Sequence, residues 1–180
     1  MPGADRTEEV LDAAYSCLAR YGVRRTTMDD IAAEMGVSRS ALYQYVGGKD
    51  AAFRLLAERL HAHALGRARA AAAGEAPAAD RVRGVLEAKL GLALRLRGDS
   101  PHTAELLDAE ARLFGEVCTA FTAELRGLLV GVLRGSGVAE AEDAADIGLA
   151  LVAGLEGAGE PERLLARAAE ALCAGLGGCR

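Results

Sequence analysis

The sequence predicts an all-α protein, with a three-helix N-terminal segment followed by a larger helical C-terminal segment. Three observations carry that expectation. Alanine and leucine are the commonest residues of a chain that has no tryptophan and only 4 prolines, and both are strong helix formers. Apolar residues recur three and four apart along most of its length. Helix start and stop signals punctuate the chain where that period breaks.

The first helix is expected from about Thr7 to Tyr21, where Leu11, Ala14, Leu18 and Tyr21 share a face and Gly22 ends it. Thr27 then opens a short helix as its N-cap, with Asp30 three residues on in a Thr-x-x-Asp capping arrangement. Asp29 and Asp30 also suit the positive end of that helix. Met28, Ile31, Ala32 and Met35 form its apolar face, and Gly36 supplies the left-handed residue of a sharp turn. Val37 plugs the turn and Ser38 caps the third helix. There Leu42 and Val46 must face inward, so Ser40, Tyr43 and Gln44 face outward with Arg39 and Ala41 on the flanks. Two short helices, a glycine-containing turn and a polar outer face on the second make a helix-turn-helix. An ordinary solvated hairpin would carry Glu and Lys on that face, and this one carries neither.

The segments "VLDAAYSCLARYG" and "TTMDDIAAEMGVSRSALYQYVGGKDAAF" resemble the tetracycline-repressor (TetR) family of bacterial transcription regulators. The likeness runs from about Thr7 to Leu56 and rests on the pattern Thr-x-x-x-Ile-Ala-x-x-x-Gly-Val-Ser-x-x-x-Leu-Tyr-x-Tyr. It implies an N-terminal helix-turn-helix DNA-binding domain, residues 1–48, and a C-terminal ligand-binding and dimerisation domain, residues 49–180. It also implies DNA contacts. Thr27, Tyr43, Tyr45 and Lys49 would hold phosphates, and Arg39, Ser40, Ala41 and Gln44 would lie over base edges, with Ser38 at the head of the same helix. Lysine and tyrosine suit phosphate oxygens, which fix register, while Gln pairs with adenine and Arg with guanine. The chain departs from the family pattern at Val46, where a large aromatic is usual, at Gly48 before the lysine, and at Ala41, where a hydroxyl is common.

A fourth helix is expected from near Lys49, with Ala52, Phe53, Leu56, Ala57 and Leu60 on one face, running into "RARAAAAG". His61 and His63 are two apart, point to different sides and cannot share a metal, so both read as solvent-exposed. "GEAPAAD", Gly74 to Asp80, is the clearest internal break. Further helices are expected at about Ala79–Arg97, Pro101–Phe114, Glu116–Arg134, Glu142–Gly157 and Pro161–Leu176, the second of them capped by Ser100 ahead of Pro101. The stretch Ile147–Leu155 is apolar all round and needs cover on both sides. Its own domain is one cover and a second subunit the other, with Leu164, Leu165, Ala168, Leu172 and Leu176 giving the last helix a matching stripe. The same helix as an internal core element is the alternative.

Two charges sit among apolar residues. Lys89 lies within the stripe Val82, Val85, Leu86, Ala93 and Leu96, and Glu110 within Leu106, Leu107, Leu113 and Phe114. A lone buried charge costs several kcal/mol, roughly, so each needs a partner or water. Either the two pair or reach solvent at the stripe's edge, or they line a ligand cavity with His102, Phe114, Cys118 and Phe121.

The net charge of −5 excludes indiscriminate nucleic-acid affinity. Residues 1–60 carry 8 Lys and Arg against 9 Asp and Glu, so DNA contact must come from a local patch. Cys17, Cys118, Cys173 and Cys179 lack metal-site spacing and read as free, packing thiols of a reducing compartment, with a redox-sensing Cys118 the alternative. With 3 histidines and no nucleophile–base pair or carboxylate–histidine cluster, neither an enzyme nor a metal or cofactor site is expected. No apolar run suits a membrane span or a signal peptide, so a cytoplasmic location is expected. The resulting reading is a homodimeric, ligand-responsive transcription regulator, a repressor binding a two-fold symmetric operator in double-stranded DNA and answering to an unknown small molecule. The alternative, favoured by the net charge, Ala41 and Val46, is a dimeric helical interaction protein with weakened or lost DNA binding.

Overall fold

The computed structural model describes residues 2–107 and 113–175, and all regular structure among them is helical. Its elements are α1 (Pro2–Arg25), α2 (Met28–Met35), α3 (Arg39–Leu42), α4 (Lys49–Ala73), α5 (Ala78–Asp99), a 3₁₀ turn (Thr103–Leu107), α6 (Gly115–Gly135), α7 (Ala141–Leu155) and α8 (Pro161–Gly175). None is long and apolar enough to cross a membrane. The expected helix order is therefore present, with one difference. Where a helix was expected from Pro101 to Phe114, the described part is a 3₁₀ turn, and residues 108–112, including Glu110, lie outside the described residues. The local hydrogen bonds account for the tighter winding. Ser100 Oγ accepts from His102 N at 3.1 Å but donates to Ala19 O at 2.8 Å, and Thr103 Oγ1 donates to both Ser100 O and Leu96 O. Those side chains bind the segment to α1 and α5 instead of opening a free helix end.

Contacts gather the chain into two units, Met1–Leu60 with Arg95–Cys118, and His61–Leu94 with Thr119–Arg180. In the first unit, α1 buries Val10, Leu11, Ala14, Cys17 and Leu18. Tyr21, expected on that stripe, is 43% exposed, because the helical path breaks just beyond it at Gly22 (φ 77°, ψ 166°). The Gly22 carbonyl then takes two bonds from Thr26, from N at 3.2 Å and Oγ1 at 2.8 Å. Burial pushes the Cys17 thiol up to about 11, with Glu34 and Asp30 adding to it, which suits an inert packing residue. Tyr15 donates to Asp99, and desolvation, then Asp99, push its hydroxyl up to about 12.

The second unit packs the later part of α4 with α5, α6, α7 and α8. Val82, Val85, Leu86, Leu90, Leu125, Leu129, Leu133, Val152 and Leu165 are its most enclosed aliphatic residues. Truncating one such leucine to alanine costs about 2–5 kcal/mol. Gly148 allows α7 close approach within this unit, since a Cβ there would stand 3.3 Å from Leu172 and 3.4 Å from Leu86. Helix α7 is not covered all round. Leu149, Val152 and Leu155 face inward, while Ile147 is 51% exposed and Ala150, Ala153 and Gly154 are exposed. On α8, Leu165, Ala169 and Leu172 are buried, while Leu164 and Ala171 face outward and Ala168 is half-buried.

Candidate functional site

The helix-turn-helix is built by three local devices. Thr27 Oγ1 accepts from Asp30 N at 3.2 Å while Asp30 Oδ2 accepts from Thr27 N at 2.8 Å, a complete capping box. The Asp30 carboxyl also accepts from the Thr27 hydroxyl at 2.7 Å, and these bonds, the side-chain one foremost, hold it below the usual carboxylate range. Gly36 closes α2 in the left-handed region (φ 68°, ψ 28°), with Gly36 N bonded to Ala33 O at 3.1 Å and Val37 N to Ala32 O at 3.0 Å. That pair of bonds is a Schellman ending, and a side chain there would be strained. Ser38 caps α3, accepting from Ala41 N at 3.2 Å.

Helix α3 is only 4 residues long before Tyr43, Gln44 and Tyr45 continue it as turns. Leu42 is fully enclosed and Val46 is 4% exposed, so the expected inward pair anchors the segment, and valine fills the position where the family carries an aromatic. The opposite face is open. Arg39, Ser40, Tyr43 and Gln44 are exposed, and Ala41 and Tyr45 are half-buried beside them. Arg39 is not loose: Nη1 lies 3.0 Å from Asp29 Oδ2 and Nη2 donates to Tyr43 Oη at 3.3 Å. Its guanidinium carbon stands 5.7 Å from the Tyr43 ring centroid. The Tyr43 bond and then the Asp29 charge raise the guanidinium's already high pKa. Lys49 sits at the head of α4 with Nζ donating to Val23 O at 3.1 Å and Arg24 O at 3.4 Å, which neutralises carbonyls at the end of α1. All nine residues expected at DNA thus lie between Thr27 and Lys49 of one unit. Asp29, the partner that orients Arg39, was missed, because ten residues of separation across a turn leave no periodic signal.

The residues expected around a ligand divide. His102 packs in the first unit, its Nδ1 3.4 Å from Glu105 Oε1. Phe114 and Cys118 are buried there too, with Cys118 Sγ 3.7 Å from Leu106 O. Lys89 and Phe121 belong to the second unit, where Lys89 Nζ stands 5.8 Å from the Phe121 ring centroid. Glu110 and Cys179 lie outside the described residues.

His61 overturns its expectation. It is 5% exposed rather than solvated, stacked on Phe121 with centroids 4.5 Å apart and planes at 29°. Desolvation, then the nearby Lys89 charge, lower its pKa to about 4, so the imidazole is neutral at working pH. Its Nδ1 is enclosed without a hydrogen-bond partner among the described residues, which costs about 1–3 kcal/mol. The missed signal was spacing. His61 falls four after Ala57 and three before Ala64, both buried, on the inward stripe of α4. His63 is exposed as expected.

Residues 10–56 match the family described as bacterial regulatory proteins, tetR family. Nucleoid occlusion factor SlmA of Pasteurella multocida is 32% identical over 113 residues, 62% of this chain and 55% of that protein, so the chain spans about half the length of the curated relatives it matches. A solved transcriptional regulator of Pseudomonas aeruginosa superposes with a TM-score of 0.78 at 27% identity, covering 98% of this chain and 91% of that one. SmeT, solved as a complex with triclosan, superposes with a TM-score of 0.68 at 25% identity, covering 93% of this chain and 87% of that one. Motif, capping geometry and likeness agree on a helix-turn-helix segment of the tetR type at residues 10–56, in a chain that shares the fold of solved transcriptional regulators.

Proposed function

We propose that the chain is a homodimeric, ligand-responsive repressor that binds a two-fold symmetric operator in the cytoplasm. One observation carries the DNA-binding part: the capped helix-turn-helix buries Leu42 and Val46 and turns Arg39, Ser40, Tyr43 and Gln44 to solvent. In that arrangement α3 enters the major groove, where Gln44 and Arg39 meet base edges and the hydroxyls of Tyr43 and Tyr45, with Thr27 and Lys49, meet phosphates. The exposed apolar residues Ile147, Ala150, Leu164 and Ala171 on α7 and α8 support a second copy as cover. The likeness to SmeT, solved with triclosan, supports a small molecule as effector. An effector that prefers one separation of the two readers weakens DNA binding by its differential affinity for that state.

A mobility shift on the DNA immediately upstream of its own gene tests the reading. A specific, salt-sensitive shift is expected. Equal retention of that DNA and a scrambled duplex would refute it.

A further inference from the structure

Three helices of the second unit bring together His61 from α4, Lys89 from α5 and Phe121 from α6. His61 and Phe121 are 5% and 4% exposed, so the setting is closed to solvent. Phenylalanine or leucine would fill the His61 position without enclosing a polar atom, yet the chain places an imidazole there and leaves Nδ1 unsatisfied among the described residues. Its low pKa keeps the ring neutral, so protonation does not solve the problem. A neutral imidazole nitrogen bonds one partner of matching polarity. The Lys89 ammonium, within reach of the same aromatic ring, favours a partner whose oxygen carries partial negative charge.

We propose that His61 Nδ1 is the hydrogen-bonding anchor of the effector site, and that it takes an aromatic hydroxyl compound. The hydroxyl donates to Nδ1, the Lys89 charge favours the polarised oxygen, and the ring lies in the apolar, aromatic surroundings of Phe121. The proposal rests on the effector-responsive reading above and names the effector's chemical class.

Calorimetry with 2-naphthol and its methyl ether, 2-methoxynaphthalene, on the full-length protein tests it. 2-Naphthol should bind the wild type about tenfold or more tightly than the ether. His61→Phe should keep the ring stack, lose that preference, and melt at the same or a higher temperature because no polar atom is enclosed. Failure of 2-naphthol to bind, equal binding of the two compounds, a retained preference in His61→Phe, or a lower melting temperature of that variant would each overturn the assignment. Operator binding by the ligand-free wild type is measured in parallel. A specific shift alongside failed naphthol binding removes this site and leaves the regulator, whereas a missing shift removes the regulator reading and leaves the naphthol comparison valid.

Discussion

Asp29 and Arg39, ten residues apart on either side of the turn, form an ion pair, Nη1 to Oδ2 at 3.0 Å. Both side chains are more than half exposed, so the pair adds little to stability. Its consequence is orientation. The guanidinium, fixed by Asp29 on one side and Tyr43 on the other, is presented in one geometry before DNA arrives. Asp29→Asn should therefore change unfolding free energy by less than about 0.5 kcal/mol while lowering the ratio of operator to scrambled-DNA affinity several-fold. Removing a carboxylate near phosphates also raises the non-specific term. Titrations of both duplexes at one salt concentration measure that ratio, and an unchanged ratio contradicts the orienting role.

Lys49 has two tasks, and one variant separates them. Its bonds to Val23 O and Arg24 O cap α1, so Lys49→Ala should cost about 0.3–1 kcal/mol in a denaturant titration. Exchange of those carbonyls for a phosphate on binding predicts a salt-dependence slope flatter by about one. A stability loss with the slope unchanged would leave Lys49 a structural cap alone.

The local devices were legible because each is set by neighbours in sequence. Thr27 with Asp30, Gly36 with Val37, and Ser38 with Ala41 lie within four residues of one another, and the structure places their bonds as the pattern predicted. Relationships between elements were not legible. Nothing near His61 announces Phe121, sixty residues on, and the pair with His63 drew the reading toward exposure. The described part of the helix expected at Pro101–Phe114 departs from expectation for a related reason. Ser100 has the chemistry of an N-cap, but its hydroxyl is drawn to Ala19 O on another helix. The sequence makes Ile147–Leu155 of α7 apolar all round and gives α8 one stripe, and only packing divides Leu149 and Leu165, turned inward, from Ile147 and Leu164, turned outward.

The His61 environment predicts a defined acid sensitivity. The folded protein takes up that proton near pH 4 whereas an ordinary histidine takes it near 6.5, so between those values the unfolded chain holds more protons. The contribution of this neutral imidazole is complete above pH 6.5 and is lost as pH falls toward 4. His61→Phe should flatten the dependence of unfolding free energy on pH across that window. Parallel curves for variant and wild type would show that His61 is not the titrating group.

Dimerisation is expected to depend on the outward residues, not the buried ones. Ile147→Glu and Leu164→Glu should keep native helix content and melting cooperativity while sedimenting as monomers, since these side chains are 51% and 37% exposed in one subunit. Leu172→Glu should unfold the subunit instead, because Leu172 is 8% exposed within it. Dimers persisting in both exposed-site variants would place the interface elsewhere.

Selection of bound sequences from a random duplex pool shows what α3 reads and how many copies read it. An inverted repeat is expected, its half-sites separated by a spacing that suits two major-groove readers, with Gln44→Ala losing preference at one position in each half by about 1–3 kcal/mol. An unenriched pool, or a single asymmetric site indifferent to Gln44→Ala and Arg39→Ala, would contradict it.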